Sequence, residues 1–148
     1  MQKTMQRPTS VPQKKQQKKA RKTPTLVMSV PQNTKMLEKL REGLDHIDIT
    51  VVETKQLKAQ NLAKAHMVVL FGHDEAALKL AWEAGVVPIV KPFNDSIVDY
   101  NPNTESGNSF IYEEDNYWDV FAAIVRARET YKFPYDWKFI MRSCKRSA

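Results

Sequence analysis

The sequence predicts an α/β protein, with a parallel β-sheet of about five strands covered by helices on both faces and preceded by a disordered basic tail. From residue 25 onward, short runs of β-branched and other apolar residues alternate with stretches in which apolar residues recur at helical spacing. Such alternation is typical of βαβ units, whose right-handed crossovers place helices on both faces of a sheet. The length of 148 residues, of which 42% are hydrophobic, suits one domain. We therefore predict a tail at 1–24 and a single domain at 25–148.

The apolar runs give the strands and the first two helices. The predicted strands are at 25–30, 48–53, 66–71, 86–90 and 109–112. Between the first two strands, apolar residues recur at helical spacing behind an N-cap at Asn33 or Thr34. A shorter helix over 55–65 rests on Leu57 and Leu62.

Three further helices are predicted in the second half of the domain. Asp74 would cap a helix that stops at Gly85, directly before the fourth strand. Asp115 or Asn116 would cap the next helix, and the last helix would begin after Pro134. The apolar stripes of these helices would cover the sheet.

Most of the positive charge belongs to the tail. The whole chain carries a net charge of +6, but its first 22 residues hold eight basic residues and no acidic one. The remainder, with 15 basic and 17 acidic residues, has a net charge of −2. A segment with so few large apolar side chains cannot offset the entropy of ordering, so disorder is expected. A basic cluster within it would attract the phosphates of nucleic acid, unless the tail is only a solubilising linker. The cluster comprises Lys14, Lys15, Lys18, Lys19, Arg21 and Lys22.

Several classes of protein are excluded by composition. The longest apolar runs, 67–71 and 86–90, are far below the roughly 20 residues of a membrane span. No apolar stretch precedes residue 25, which argues against a secretory signal. A single cysteine, Cys144, rules out an intrachain disulfide and a CxxC-type zinc site. We expect a cytoplasmic protein without membrane contact; organelle targeting by the tail is the minor alternative.

Residue types that are common in active sites are present, but they do not have the spacing of known motifs. The four glycines are isolated, so neither a GxGxxG turn nor a Walker-type phosphate loop occurs. His46, His66 and His73 show no metal-like spacing with each other or with Cys144, and no metal, other cofactor or catalytic residue is predicted. Cys144 lies on the apolar stripe of the last helix, where a buried small side chain is the expected role.

Three segments carry a family resemblance: AWEAGVVPIV from Ala81, NDSIVDYNPNTESGNSFIYEE from Asn94 and DWKFIMRSC from Asp136. In this order they resemble the carboxyl half of bacterial glycogen and starch synthases, which are GT-B glycosyltransferases with the motifs EAMxxG, PIV, DTVVDYNP and GxGFxFEE. Upstream, Ser29 and Lys35 align with the family's SRLxxQKG element, so the resemblance spans about 25–144. It implies a Rossmann-like domain that binds a nucleotide sugar such as UDP- or ADP-glucose.

The departures from the family concern its functional residues. Val30 stands where the family has a phosphate-contacting arginine, which leaves Lys35 alone to meet a diphosphate. Gly72 and Leu80 replace two glutamates that contact the donor sugar and the ribose, and KPFN at 91–94 replaces a glycine pair near the phosphates. The family's amino-terminal acceptor domain has no counterpart in the sequence. We expect no catalysis by the chain alone; an active form would be a hexosyltransferase.

A retained ligand site is expected at the carboxyl ends of the strands, where the loops of a parallel sheet meet. The residues predicted to border it are Lys35, Gly72, Lys91, Asp95 and Ser96. Lys35 and Ser96 would contact the phosphates. The alternative is that Pro92 and Phe93 fill this crevice.

Three functions agree with these observations. The favoured one is a degenerate glycosyltransferase-like domain that acts as a binding or interaction module. A second is one half of a split glycosyltransferase, whose partner subunit supplies the acceptor domain. A third is a structural protein of a ribonucleoprotein assembly, in which the tail neutralises RNA phosphates.

Overall fold

The computed structural model describes residues 23–30 and 32–148. The basic cluster of the tail and the rest of 1–22 lie outside the described residues. Thr23 and Pro24 lie beside the sheet: the Thr23 hydroxyl donates to Asp48 Oδ1 over 3.4 Å, and the Pro24 carbonyl accepts from the Thr50 amide over 2.9 Å. None of the helices in the described part of the chain combines the length and apolarity that crossing a bilayer requires.

Five parallel strands form one sheet in the order β2-β1-β3-β4-β5. The strands are β1 Thr25–Ser29, β2 Thr50–Thr54, β3 Met67–Leu70, β4 Val87–Val90 and β5 Phe110–Ile111. Every residue of the central strands β3 and β4 is buried, whereas edge strand β2 contains only exposed and half-buried residues. The predicted α/β fold with a parallel sheet is therefore confirmed.

Five helices in the described part of the chain cover this sheet. They are α1 Lys35–Leu44, α2 Ala59–Leu62, α3 Glu75–Ala84, α4 Tyr117–Tyr131 and α5 Pro134–Ser147. Helix α1 packs against α4, and α3 packs against both α2 and α5, so the helices occupy both faces as predicted.

Local capping sets the ends of the helices. Thr34, and not Asn33, caps α1 by accepting from the Leu37 amide over 3.3 Å. Asp74 caps α3 as predicted, with 3.0 Å to the Ala77 amide, and Asn116 rather than Asp115 caps α4. Gly85 ends α3 at φ 72°, a left-handed conformation that suits glycine.

The predicted helix over 55–65 is wrong in extent, because α2 is a single turn, Ala59–Leu62. The Thr54 hydroxyl donates to the Gln56 carbonyl over 3.0 Å, and the Lys58 amide donates to Asn61 Oδ1 over 2.8 Å. The first bond forms a turn at residues 54–56, and the second caps the amino terminus of α2, so the helix begins only at Ala59.

The long connection between β4 and β5 is held by Asn108, which is 5% exposed. Its amide group donates to the carbonyl of Ser96 and to the hydroxyl of Ser147, both over 2.8 Å, and its Oδ1 accepts from the Val98 amide over 3.0 Å. Its carbonyl accepts from Trp82 Nε1 over 3.1 Å and from Cys144 Sγ over 3.3 Å. One residue thus links the connecting loop to α3 and α5.

Candidate functional site

An open cleft of about 340 Å³ lies at the carboxyl ends of β1 and β3. Its lining residues are Val30, Gln32, Thr34, Met36, Leu37, Phe71, Gly72 and Asp115. The sheet order reverses between these two strands, since the chain leaves β1 for β2 on one side and later adds β3 on the other. Open parallel sheets bind ligands at such a reversal point. We call this space the carboxyl-end cleft.

The chain segments after two strands and the start of α1 form its walls. Gly72 turns the chain after β3 at φ 83°, and a Cβ added there would meet no atom within 4 Å. The Thr34 cap fixes the first turn of α1, which places Met36 and Leu37 in the wall. The amide groups at a helix amino terminus have no acceptor within the helix, so this end favours an anion.

The floor of the cleft is braced from β5. The Tyr112 hydroxyl donates to the Leu70 carbonyl over 2.8 Å, and Tyr112 is 2% exposed. Burial is the main cause that raises the pKa of Tyr112, with a smaller contribution from the charge of Asp115. The phenol therefore stays protonated and acts as a donor.

The polar side of the cleft is the ion pair of Lys91 and Asp115, whose Nζ and Oδ2 are 3.3 Å apart. Lys91 follows β4, and Asp115 is the residue before the cap of α4. Asp115 contributes the only carboxylate among the lining residues. Both side chains are substantially exposed, 41% and 61%, so the pair is weak and open to competition from a bound anion.

One of the five predicted site residues lines this cleft, and two more are neighbours of its lining residues. Gly72 lines it, Lys35 lies between the lining residues Thr34 and Met36, and Lys91 pairs with the lining residue Asp115.

The other two predicted residues, Asp95 and Ser96, are not among the lining residues. The Ser96 amide donates to Asn94 Oδ1 over 2.9 Å, and its carbonyl accepts from Asn108, which precedes β5 at the amino-terminal end of that strand.

Phe93 packs on the neighbouring loop. Its ring stacks on that of His73 with centroids 4.1 Å apart and an angle of 22° between the planes. Phe93 is half-buried against the core and is not a lining residue of the carboxyl-end cleft. The space between the ends of β1 and β3 therefore stays open beside it.

Sequence reasoning missed Asp115 as a site residue, because it was considered only as a helix cap. Its position four residues after β5, at the carboxyl edge of the sheet where Gly72 and Lys91 also lie, was the signal that could have found it. Met36 and Leu37 belong to the apolar stripe predicted for the first helix; both pack against the core, and both also line the cleft.

The part of the chain that the structure describes contains neither a set of metal ligands nor an ionised thiol. Within residues 23–30 and 32–148, no group of three or more His, Cys, Asp or Glu side chains is placed to hold a metal ion. Cys144 is fully buried, and burial raises the pKa of its thiol to about 12. The thiol is therefore protonated at neutral pH and donates to the Asn108 carbonyl.

The strand order, the helices on both faces and the cleft at the reversal point define a Rossmann-like α/β domain. No protein-family model matches the sequence. Among solved structures, the fold is similar to the catalytic domain of starch synthase IV from Arabidopsis thaliana, determined bound to ADP and acarbose, with a TM-score of 0.59 and 14% sequence identity. The similarity covers 83% of this chain and 34% of that structure, so the chain spans about a third of its length. The GT-B-like fold expected from the sequence is thereby confirmed.

Proposed function

We propose that the protein is a non-catalytic binding module that holds a nucleotide or nucleotide sugar in the carboxyl-end cleft. The observation that carries this proposal is the position of the cleft, at the reversal point of a parallel sheet and beside the amino terminus of α1. The ligand class is supported by the similar starch synthase IV structure, whose bound molecules include ADP.

The cleft offers two kinds of surface to such a ligand. Val30, Met36, Leu37 and Phe71 form an apolar wall, against which a base or the face of a sugar would pack. Lys35, exposed in the first turn of α1, and Lys91 at the rim supply positive charge for a diphosphate. A bound phosphate would compete with Asp115 for Lys91.

The groups that would assist sugar transfer are missing from the same place. Val30, which aligns with the family's arginine, is apolar and only 7% exposed. Gly72, which aligns with the family's donor-sugar glutamate, leaves open space where a side chain would lie. Preorganised charges of this kind commonly contribute several kcal/mol to transition-state stabilisation, so binding without turnover is expected.

The test is an NMR titration of the full chain with ADP, UDP, ADP-glucose and UDP-glucose. Shifts concentrated on the amides of Thr34 to Leu37, Gly72 and Asp115 would support the proposal. Shifts confined to other regions, or none at millimolar ligand, would overturn it. Transfer of glucose to glycogen by the purified chain alone would contradict the non-catalytic role.

A second candidate is the donor-binding half of a split glycosyltransferase. It is favoured by one observation: the similar catalytic structure is about three times as long as the matched region. Addition of a separately produced GT-B acceptor domain distinguishes the two functions. Sugar transfer that requires both proteins would support the split enzyme, and binding with no transfer in the mixture would support the module.

A further inference from the structure

Helix α5 carries a basic face that the proposed nucleotide site does not use. Its four basic residues, Lys138, Arg142, Lys145 and Arg146, are all exposed. Their spacing of four, seven and eight residues from Lys138 places them on one side of the helix, over about 12 Å of its length. The one acidic residue of α5, Asp136, accepts a hydrogen bond from the Tyr100 hydroxyl.

This basic face begins at a second cleft, of about 300 Å³, which we call the aromatic cleft. Its lining residues are His66, Tyr131, Lys132, Pro134, Trp137, Lys138 and Met141. The ring centroids of His66 and Tyr131 are 4.8 Å apart, and those of Tyr131 and Trp137 are 5.2 Å apart with nearly perpendicular planes. Three rings therefore form the wall of the aromatic cleft. Lys138 also lines this cleft and is the first residue of the basic face.

His66 adds a defined hydrogen-bond donor to the aromatic cleft. Its Nδ1 accepts from the Thr25 amide over 2.9 Å. Burial lowers the pKa of His66, so the ring is neutral at pH 7 and its proton is on Nε2. No acceptor for Nε2 lies within hydrogen-bonding distance among residues 23–30 and 32–148.

Two further aromatic side chains flank the aromatic cleft at the turn between α4 and α5. Phe133 and Tyr135 are 59% and 71% exposed and lie on either side of the lining residue Pro134. Exposed rings beside a line of cations are the combination by which proteins bind single strands: stacking holds the bases, and lysine and arginine neutralise the phosphates.

We propose that this surface, the basic face of α5 together with the aromatic cleft, binds single-stranded nucleic acid. The four cations face the phosphates, and one base stacks at the aromatic cleft or on the flanking rings. A concave, ring-walled cleft with an N–H donor fits a planar polar base better than an acyl chain. His66 precedes β3, so the surface lies at the opposite end of the sheet from the carboxyl-end cleft and is independent of the nucleotide site.

The test compares full-chain variants of equal charge. Lys138→Gln/Arg142→Gln removes two cations from the basic face, and Lys39→Gln/Lys55→Gln removes two exposed lysines elsewhere, on α1 and after the carboxyl end of β2. Binding of a fluorescent oligouridylate is followed by anisotropy between about 50 and 200 mM salt. Each lost phosphate contact lowers the slope of log affinity against log salt by about 0.7, so the first variant should lose about 1.4 and the control nothing. Both variants keep the basic tail, so its contribution to the salt slope is the same in each. Equal slopes for the two variants, or no binding by the wild type at low salt, would overturn the proposal.

The aromatic part has a separate measurement. Phe133→Ala/Tyr135→Ala changes exposed side chains only, and should weaken oligouridylate binding by roughly fivefold or more without changing the salt slope. Unchanged affinity would show that Phe133 and Tyr135 do not stack with bases. Cosedimentation with vesicles containing phosphatidylserine, in the absence of oligonucleotide binding, would assign the surface to a membrane and refute the proposal. Circular dichroism of each variant verifies that the fold is intact.

Discussion

Tyr112 donates a hydrogen bond to the carbonyl of Leu70 over 2.8 Å and so spans from the end of β5, past β4, to the end of β3. Leu70 is the last residue of β3 before Phe71 and Gly72 line the carboxyl-end cleft. The bond thus fixes the floor of the cleft from the far side of the sheet.

We predict that Tyr112→Phe lowers the free energy of unfolding by about 1–2 kcal/mol, because a buried carbonyl loses its partner while the ring volume is kept. Urea denaturation followed by fluorescence measures the change. Tyr135→Phe, on an exposed tyrosine, is the matched control and should leave the midpoint in place. Equal midpoints for the two variants would show that the bond to Leu70 contributes nothing.

Lys35→Gln should weaken ADP binding by roughly twofold to fivefold, since an exposed cation beside a phosphate contributes modestly. The same substitution should make the fold slightly more stable. A cation in the first turn opposes the helix dipole, so its removal should raise the free energy of unfolding by roughly 0.3 kcal/mol at low salt.

Calorimetric titration and urea denaturation together test the Lys35 prediction. Lys39→Gln, also exposed on α1 but one turn further from the amino terminus of the helix and from the cleft, should leave the affinity unchanged. A loss of affinity of the same size in both variants would indicate a diffuse charge effect and not a contact.

Asp115→Asn should increase the affinity for ADP, by roughly twofold to fivefold, because it removes a negative charge from the cleft and frees Lys91. The fold should change in stability by less than about 1 kcal/mol, as expected for an exposed ion pair. The comparison is Asp95→Asn, which removes the same charge outside the cleft lining. A stronger effect from Asp95→Asn than from Asp115→Asn would show that the ligand binds beside Asp95, as predicted from the sequence.

His66 should make stability depend on pH as the pH falls through its ordinary pKa of 6.5. Burial lowers its pKa in the folded state below the ordinary value of 6.5, so the unfolded chain takes up a proton first. The free energy of unfolding therefore falls as the pH drops below that value. Protonation of Nδ1 would also break the hydrogen bond from the Thr25 amide.

His66→Asn retains an acceptor for Thr25 and cannot titrate, so stability should fall less steeply with decreasing pH in this variant. Thermal unfolding at half-unit steps of pH measures both slopes. The same slope in wild type and variant would show that a group other than His66 causes the pH dependence.

The strands and most helix ends could be predicted because they depend on local sequence. Alternating apolar runs identified the strands, and the residues Thr34, Asp74 and Gly85 could be read as caps from their chemistry alone. The predicted helix over 55–65 was wrong for an equally local reason. The side chains of Thr54 and Asn61 bond to the backbone of Gln56 and Lys58, and apolar periodicity does not reveal such bonds.

The site was harder to predict because it depends on contacts distant in sequence. Lys91 and Asp115 meet across 24 positions, and only the fold shows that they do. Asp95 and Ser96 follow Lys91 by only four and five residues. The Ser96 carbonyl nevertheless accepts a hydrogen bond from Asn108, which lies near the start of β5. Rules for parallel sheets locate the carboxyl edge of each strand, but they do not give the path of a long loop once it leaves that edge.

The five hydrogen bonds made by the side chain and carbonyl of Asn108 have a dynamic consequence. Since the same side chain and carbonyl hold the loop at Ser96 and Val98, the indole of Trp82 and the end of α5, none of these segments can detach without exposing polar groups of the others. Amide hydrogens from Val98 to Phe110 and in the last two turns of α5 should consequently exchange with solvent at a common rate, as one cooperative opening unit.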